Sequence, residues 1–173
     1  MIILFFAIIV LIFILFLFHF IYKDRLTELI IKLKMIEEKI NSTLIKRKDL
    51  IKESEVIIKQ ELNTDKLIYD KLDDTKNVSN IIELDKTLLI CVNEFILIKD
   101  KYKKLNKNED FKKIAYSIDD TIDELYSYKN YYNTVAEKYN NLVKKLPILL
   151  SSIIRGRKKR KLFDEVSLNE KSF

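Results

Sequence analysis

The stretch FKKIAYSIDDTIDELYSYKNYYNTVAEKYNNLVKKLP, Phe111 to Pro147, carries the cleanest pattern in the chain. Phe111, Ile114, Ile118, Ile122, Leu125, Tyr132, Val135, Tyr139, Leu142 and Leu146 recur at steps of three, four or seven. That spacing lines one face of a helix. Pro147 stops it, because its ring removes a backbone donor and clashes with the preceding turn.

Working back, Asn106-Lys107-Asn108 interrupts the pattern. Before it, a second series runs Leu67, Lys71, Val78, Ile81, Asp85, Leu88, Val92, Phe95, Lys99, Tyr102 and Leu105. Its first third is weak, and the polar run Asp73-Asp74-Thr75-Lys76-Asn77 reads as a kink or a short loop. Asn63-Thr64-Asp65 is a turn followed by a helix-start signal. A first series covers Leu26, Ile30, Leu33, Ile36, Ile40, Leu44, Arg47, Ile51, Ser54 and Ile58. Three spans of about 40 residues with short connections predict an antiparallel up-and-down bundle of long helices, four if the second is broken. The fold class is all-α. One Gly and one Pro in 173 residues agree with it.

Residues Ile2 to Ile21 carry no charge, and His19 is the markedly polar one among them. Twenty helical residues rise roughly 30 Å, the thickness of a bilayer's hydrocarbon core. There is no basic n-region and no small-residue cleavage site, so the segment reads as an uncleaved anchor. It leads through Tyr22-Lys23-Asp24-Arg25 into the first helix without a loop. Lys23, Arg25, Lys32, Lys34 and Lys39 flank its C-terminal side. By the positive-inside rule the N-terminus is outside and the bundle cytoplasmic. His19 reads as an interfacial side chain. The expected division is 1–21 anchor, 22–147 bundle and 148–173 an apolar-then-polybasic tail.

Basic residues number 32 against 26 acidic ones. Removing Arg155 to Lys161 leaves 26 against 26, so the whole excess lies in Arg155, Arg157, Lys158, Lys159, Arg160 and Lys161. Apolar residues precede this cluster directly, which suits contact with anionic lipid. In a bundle whose third helix leaves the membrane, however, the cluster stands about 60 Å away from it. Either the bundle lies along the bilayer or the tail serves another partner. Nucleic acid is not expected, because no aromatic side chains interleave the cations to stack on bases.

The lone Cys91 excludes an intramolecular disulfide and a cysteine-rich metal site, and it reads as a buried structural thiol. Asp119, Asp120, Asp123 and Glu124 form i,i+4 carboxylate pairs, read as a solvated face. Arg47, inside an apolar stripe, reads as a stem that packs and a head that reaches water. There is no phosphate loop and no nucleophile–base pair. The chain reads as a non-enzyme with no cofactor and no metal.

Tyr132-Asn133 and Tyr139-Asn140 repeat at seven residues, followed by Leu146-Pro147. Upstream stands Tyr102-x-x-Leu105-x-x-Asn108-x-x-Phe111. With the anchor, Leu44-Ile45-Lys46-Arg47-Lys48-Asp49-Leu50-Ile51 and the late Leu162-Phe163, this order resembles the LemA family of bacterial membrane proteins. Lys52 and Lys103 stand where the family favours Pro, Ile122 where Glu is common, and Lys129 where Arg is common. The resemblance implies an anchored helical bundle in the bacterial cell membrane and brings no catalytic residues. It points to a scaffold or adaptor that meets another membrane-associated protein. Tyr132, Asn133, Tyr139 and Asn140 are then either core-edge packing or a partner surface, and six of the nine tyrosines lie on this helix.

Overall fold

A computed structural model of the chain describes residues 2–64, 68–69, 71–78, 80–145 and 156–164. Among these residues every element is helical. Helix α1 spans Ile2–Leu62, α2 Ile81–Lys101 and α3 Glu109–Val143, with 3₁₀ turns at Asp73–Asn77 and Lys103–Lys107. The chain forms two compact units. The first holds Met1–Ile36 and Tyr131–Leu162, the second Glu37–Asn130 and Phe163–Phe173.

Helix α1 continues from the apolar segment into the bundle without interruption, as the sequence predicts. It closes where Asn63 takes a positive φ of 50°. The Thr64 N–H then reaches back to the Lys59 carbonyl at 3.2 Å. This is a left-handed C-cap, a conformation that Asn tolerates better than most residues. Asn80 caps α2 by accepting the Ile82 N–H at 3.0 Å.

Helix direction in the second unit follows from its contacts. Lys39 meets the Tyr128 ring, Thr43 meets Glu124, and Arg47 meets Thr121. As α1 numbers rise α3 numbers fall, so the two are antiparallel. Asp85 pairs with Lys129, and the Phe95 and Phe111 rings lie 5.4 Å apart. Helix α2 is therefore antiparallel to α3 as well, and α1 and α2 run the same way. Ile58 and Leu62 of α1 accordingly share a groove with Leu97 and Ile98 of α2.

The returning segment is the connector from Asn63 to Asn80. Its Ile68 N–H donates to Glu55 at 3.3 Å, Tyr69 shares a 2.8 Å bond with Ser54, and Thr75 accepts from Lys48 at 3.5 Å. Connector numbers rise as α1 numbers fall. The expected second helix of about 40 residues is thus corrected to 21, and its direction is reversed. Asp73, Asp74 and Thr75 are residue types whose side chains compete with helical hydrogen bonds. Tyr69, Leu72 and Thr75 are buried at steps of three, the period of a 3₁₀ turn.

In the first unit Leu26, Leu33 and Ile36 of α1 are buried, as are Tyr132, Val135, Ala136, Tyr139, Leu142 and Val143 of α3. Arg25, Glu28 and Leu29 line one pocket with Lys138, Asn141, Leu142 and Lys145. The end of α3 therefore lies beside the part of α1 that follows the apolar segment. The expectation that α3 carries the chain away from that segment is corrected: the extra reversal made by the connector brings it back.

The side chains described at 5–14, Phe16, Leu17, Phe20 and Ile21 are all exposed. Among the described residues no helix is long and apolar enough to cross a membrane. The side chains of Ile2, Ile3, Leu4, Leu15, Phe18 and His19 lie outside the described set, so the twenty-residue run is described only in part. The readings of Pro147 as a helix stop and of the apolar stretch after it also fall outside. Helix α3 ends at Val143, before that proline.

Candidate functional site

Tyr132 and Tyr139 share one face of α3 and are 3% and 4% exposed. Asn133 and Asn140 are half-buried beside them. Asn140 accepts the Arg160 N–H at 2.8 Å and donates to the Arg160 carbonyl at 2.9 Å. The Tyr139 hydroxyl donates to the Lys158 carbonyl at 3.4 Å. Residues 157–164 have no regular structure, so their backbone groups need partners from elsewhere. One amide serves both groups of Arg160, as a neighbouring strand would. Of the two readings of Tyr132, Asn133, Tyr139 and Asn140, core-edge packing describes the two tyrosines. The two rings face the core, and Tyr139 with Asn140 holds the chain's own C-terminal segment.

The clamp acts on the backbone of Lys158 and Arg160. Lys158, Lys159 and Lys161 are exposed, and Arg157 and Arg160 half-buried. Arg155 lies outside the described residues.

The second unit buries charge. Arg47 is fully buried, and its Nε donates to the Thr121 hydroxyl at 3.1 Å. The expectation that its head reaches water is corrected: Arg47 follows Ile40 by seven residues, so it occupies a core position of the same stripe. Lys129 and Asp85, both wholly buried, pair at 2.7 Å. The Phe163 ring lies 5.8 Å from the Lys129 ammonium, near enough for a cation–π contact. Phe163 itself is 3% exposed. Neither Lys129 nor Asp85 stands out as a site in the sequence. The available signal is two opposite charges standing at core positions of two helices.

Other candidates have plain structural roles. Cys91 is buried, and that burial, with the charge of Glu94, pushes its thiol up to about 12. A thiol so held is protonated and unreactive at neutral pH. Burial likewise raises the Tyr69 phenol above its ordinary range. Asp119, Asp120 and Asp123 are exposed, Glu124 half-buried. Among the described residues no group of His, Cys, Asp and Glu could hold a metal ion.

The segment Tyr102-x-x-Leu105-x-x-Asn108-x-x-Phe111 forms the corner between α2 and α3. The Tyr102 N–H closes α2 on the Ile98 carbonyl at 2.9 Å, and Leu105 is fully buried. Asn108 caps α3 by accepting from Asp110 and Phe111, at 3.0 and 3.1 Å. Its amide also donates to Glu61 at 3.0 Å. Phe111 packs on Phe95. Tyr102, Leu105, Asn108 and Phe111 thus hold the corner, and Tyr139 and Asn140 the C-terminal segment.

No curated protein and no solved structure matches the chain. The LemA family profile matches residues 36–172. That span contains the helix corner, the buried pair and the clamped segment, and with it the chain belongs to the LemA family.

Proposed function

We propose that this LemA protein is a membrane-anchored, non-catalytic helical scaffold, with its N-terminus outside and its bundle in the cytoplasm of a bacterial cell. The observation that carries the reading is the first third of α1. Phe5, Phe6, Phe13 and Phe16 are each 59% or more exposed, on a helix that then enters a packed core without a break. A helix apolar on all sides needs an apolar environment on all sides. The family motif residues supply packing and capping, which supports a holding role over a chemical one. The partner on this reading is another membrane-associated protein.

Alkaline extraction of native membranes tests the anchor. The full chain stays with the pellet, and residues 22–173 expressed alone are released. Full release of the intact chain would remove the reading. Crosslinking in the native membrane through exposed Tyr116, Tyr126 and Tyr131 of α3 is expected to recover one specific protein; random neighbours alone would contradict the scaffold role.

A second reading, lipid binding through the basic segment, is favoured by the return of α3. The sequence-based objection is that the cations lie far from the bilayer. In the first unit, Lys158 and Arg160 are instead fixed to the same helix end that lies against Arg25 and Leu29.

A further inference from the structure

We propose that the pocket lined by Arg25, Glu28, Lys138, Asn141 and Lys145 binds the phosphate headgroup of an anionic phospholipid. This deepens the membrane reading above and rests on it. The pocket belongs wholly to the first unit. Arg25 lies four residues beyond Ile21, about 6 Å along the helix, so the pocket opens at headgroup level when the apolar segment is in the bilayer.

Its charge is positive. Arg25, Lys138 and Lys145 are exposed, and none makes an ion pair among the described residues. The one carboxylate, Glu28, accepts from Lys32 at 2.5 Å. That hydrogen bond and charge, with the charge of Arg25, hold its carboxyl below the usual range, so it stays ionised with Lys32 as its partner. Arg25 of α1, Lys138 of α3 and Lys145 just beyond the end of α3 line one concave site, and Asn141 adds an amide donor. A phosphodiester takes such donors well. Leu29 and Leu142 give the pocket an apolar part that suits the glycerol end of a lipid. A free phosphate would use the same cations without that apolar contact.

The test offers the full chain in detergent an equal mixture of phosphatidylglycerol and phosphatidylcholine, and reads retained lipid by native mass spectrometry. Wild type is expected to retain phosphatidylglycerol preferentially. Each cation removed should weaken that preference about fivefold, so Arg25→Gln/Lys138→Gln/Lys145→Gln loses it. Lys138→Gln alone, at an exposed position, shows the single step even if the triple variant folds poorly. Lys158→Gln/Lys159→Gln/Lys161→Gln should still retain phosphatidylglycerol preferentially, because the pocket cations remain. Equal retention of both lipids by wild type would overturn the proposal, as would an unaffected Lys138→Gln variant or a loss caused by the tail variant. Displacement of the lipid by inorganic phosphate at equal concentration would assign the pocket to a soluble ligand and overturn the lipid identity. Alkaline extraction keeps the two readings apart. A chain that stays in the membrane but shows no lipid preference removes the pocket alone, whereas a chain that is extracted removes the anchor and the pocket with it.

Discussion

Asp85 and Lys129 each occupy a position that apolar spacing reserves for the core, and each satisfies the other at 2.7 Å. Removing one partner leaves a buried charge without compensation, whereas replacing both restores an apolar contact. Asp85→Ala and Lys129→Met are each expected to destabilise the fold by about 3–5 kcal/mol. The double variant Asp85→Leu/Lys129→Met should lie within about 1 kcal/mol of wild type or above it. Denaturant unfolding of the full chain in mild detergent, followed by circular dichroism, reads all three. Single variants that cost less than about 1 kcal/mol would show that the pair is not held in this way. The charge of both residues and their place in a helical pattern are legible in the sequence. Their pairing is not, because periodicity gives the core face of each helix but not which charge on one meets which on the other. Arg47 teaches a similar lesson. Its side-chain chemistry suggests a head in water, but its phase, seven residues after Ile40, puts it in the core.

At the scale of elements, the ends are more legible than the directions. Asn63 ends α1 and Asn108 starts α3, because turn and cap signals depend on a few neighbouring atoms. The direction of α2 depends on the path of the connector, and that stretch has no strong period. Buried contacts from Tyr69, Leu72 and Thr75 hold the path, and their spacing is that of a 3₁₀ turn, not of an α-helical stripe. The parallel arrangement of α1 and α2 has a direct consequence. In a Cys91→Ala background, Leu62→Cys and Ile98→Cys should join through a short bismaleimide, since both positions line one groove. Glu38→Cys with Ile90→Cys should not join, although a second helix folding straight back from the turn after Leu62 would bring them level. A high yield from the second pair and none from the first would restore the simple up-and-down order.

For the whole molecule, composition places the charge excess correctly in one short segment and leaves its surroundings open. The clamp explains why: Asn140 and Tyr139 act on the backbone of Arg160 and Lys158, and backbone groups carry no sequence signature. The apolar segment is legible from its length alone. Its consequence for the tail is not, since that turns on an extra chain reversal in the connector. The central claim is that the end of α3 lies beside the part of α1 that follows the apolar segment. It is tested most directly by a nitroxide label at Lys145→Cys in a Cys91→Ala background, with the full chain in vesicles that carry a lipid-tethered paramagnetic nickel chelate. The account expects a label at position 145 to relax as strongly as one at Arg25→Cys, because both line the same pocket. Relaxation at 145 no stronger than that of a free label in solution, with 25 strongly affected, would contradict it.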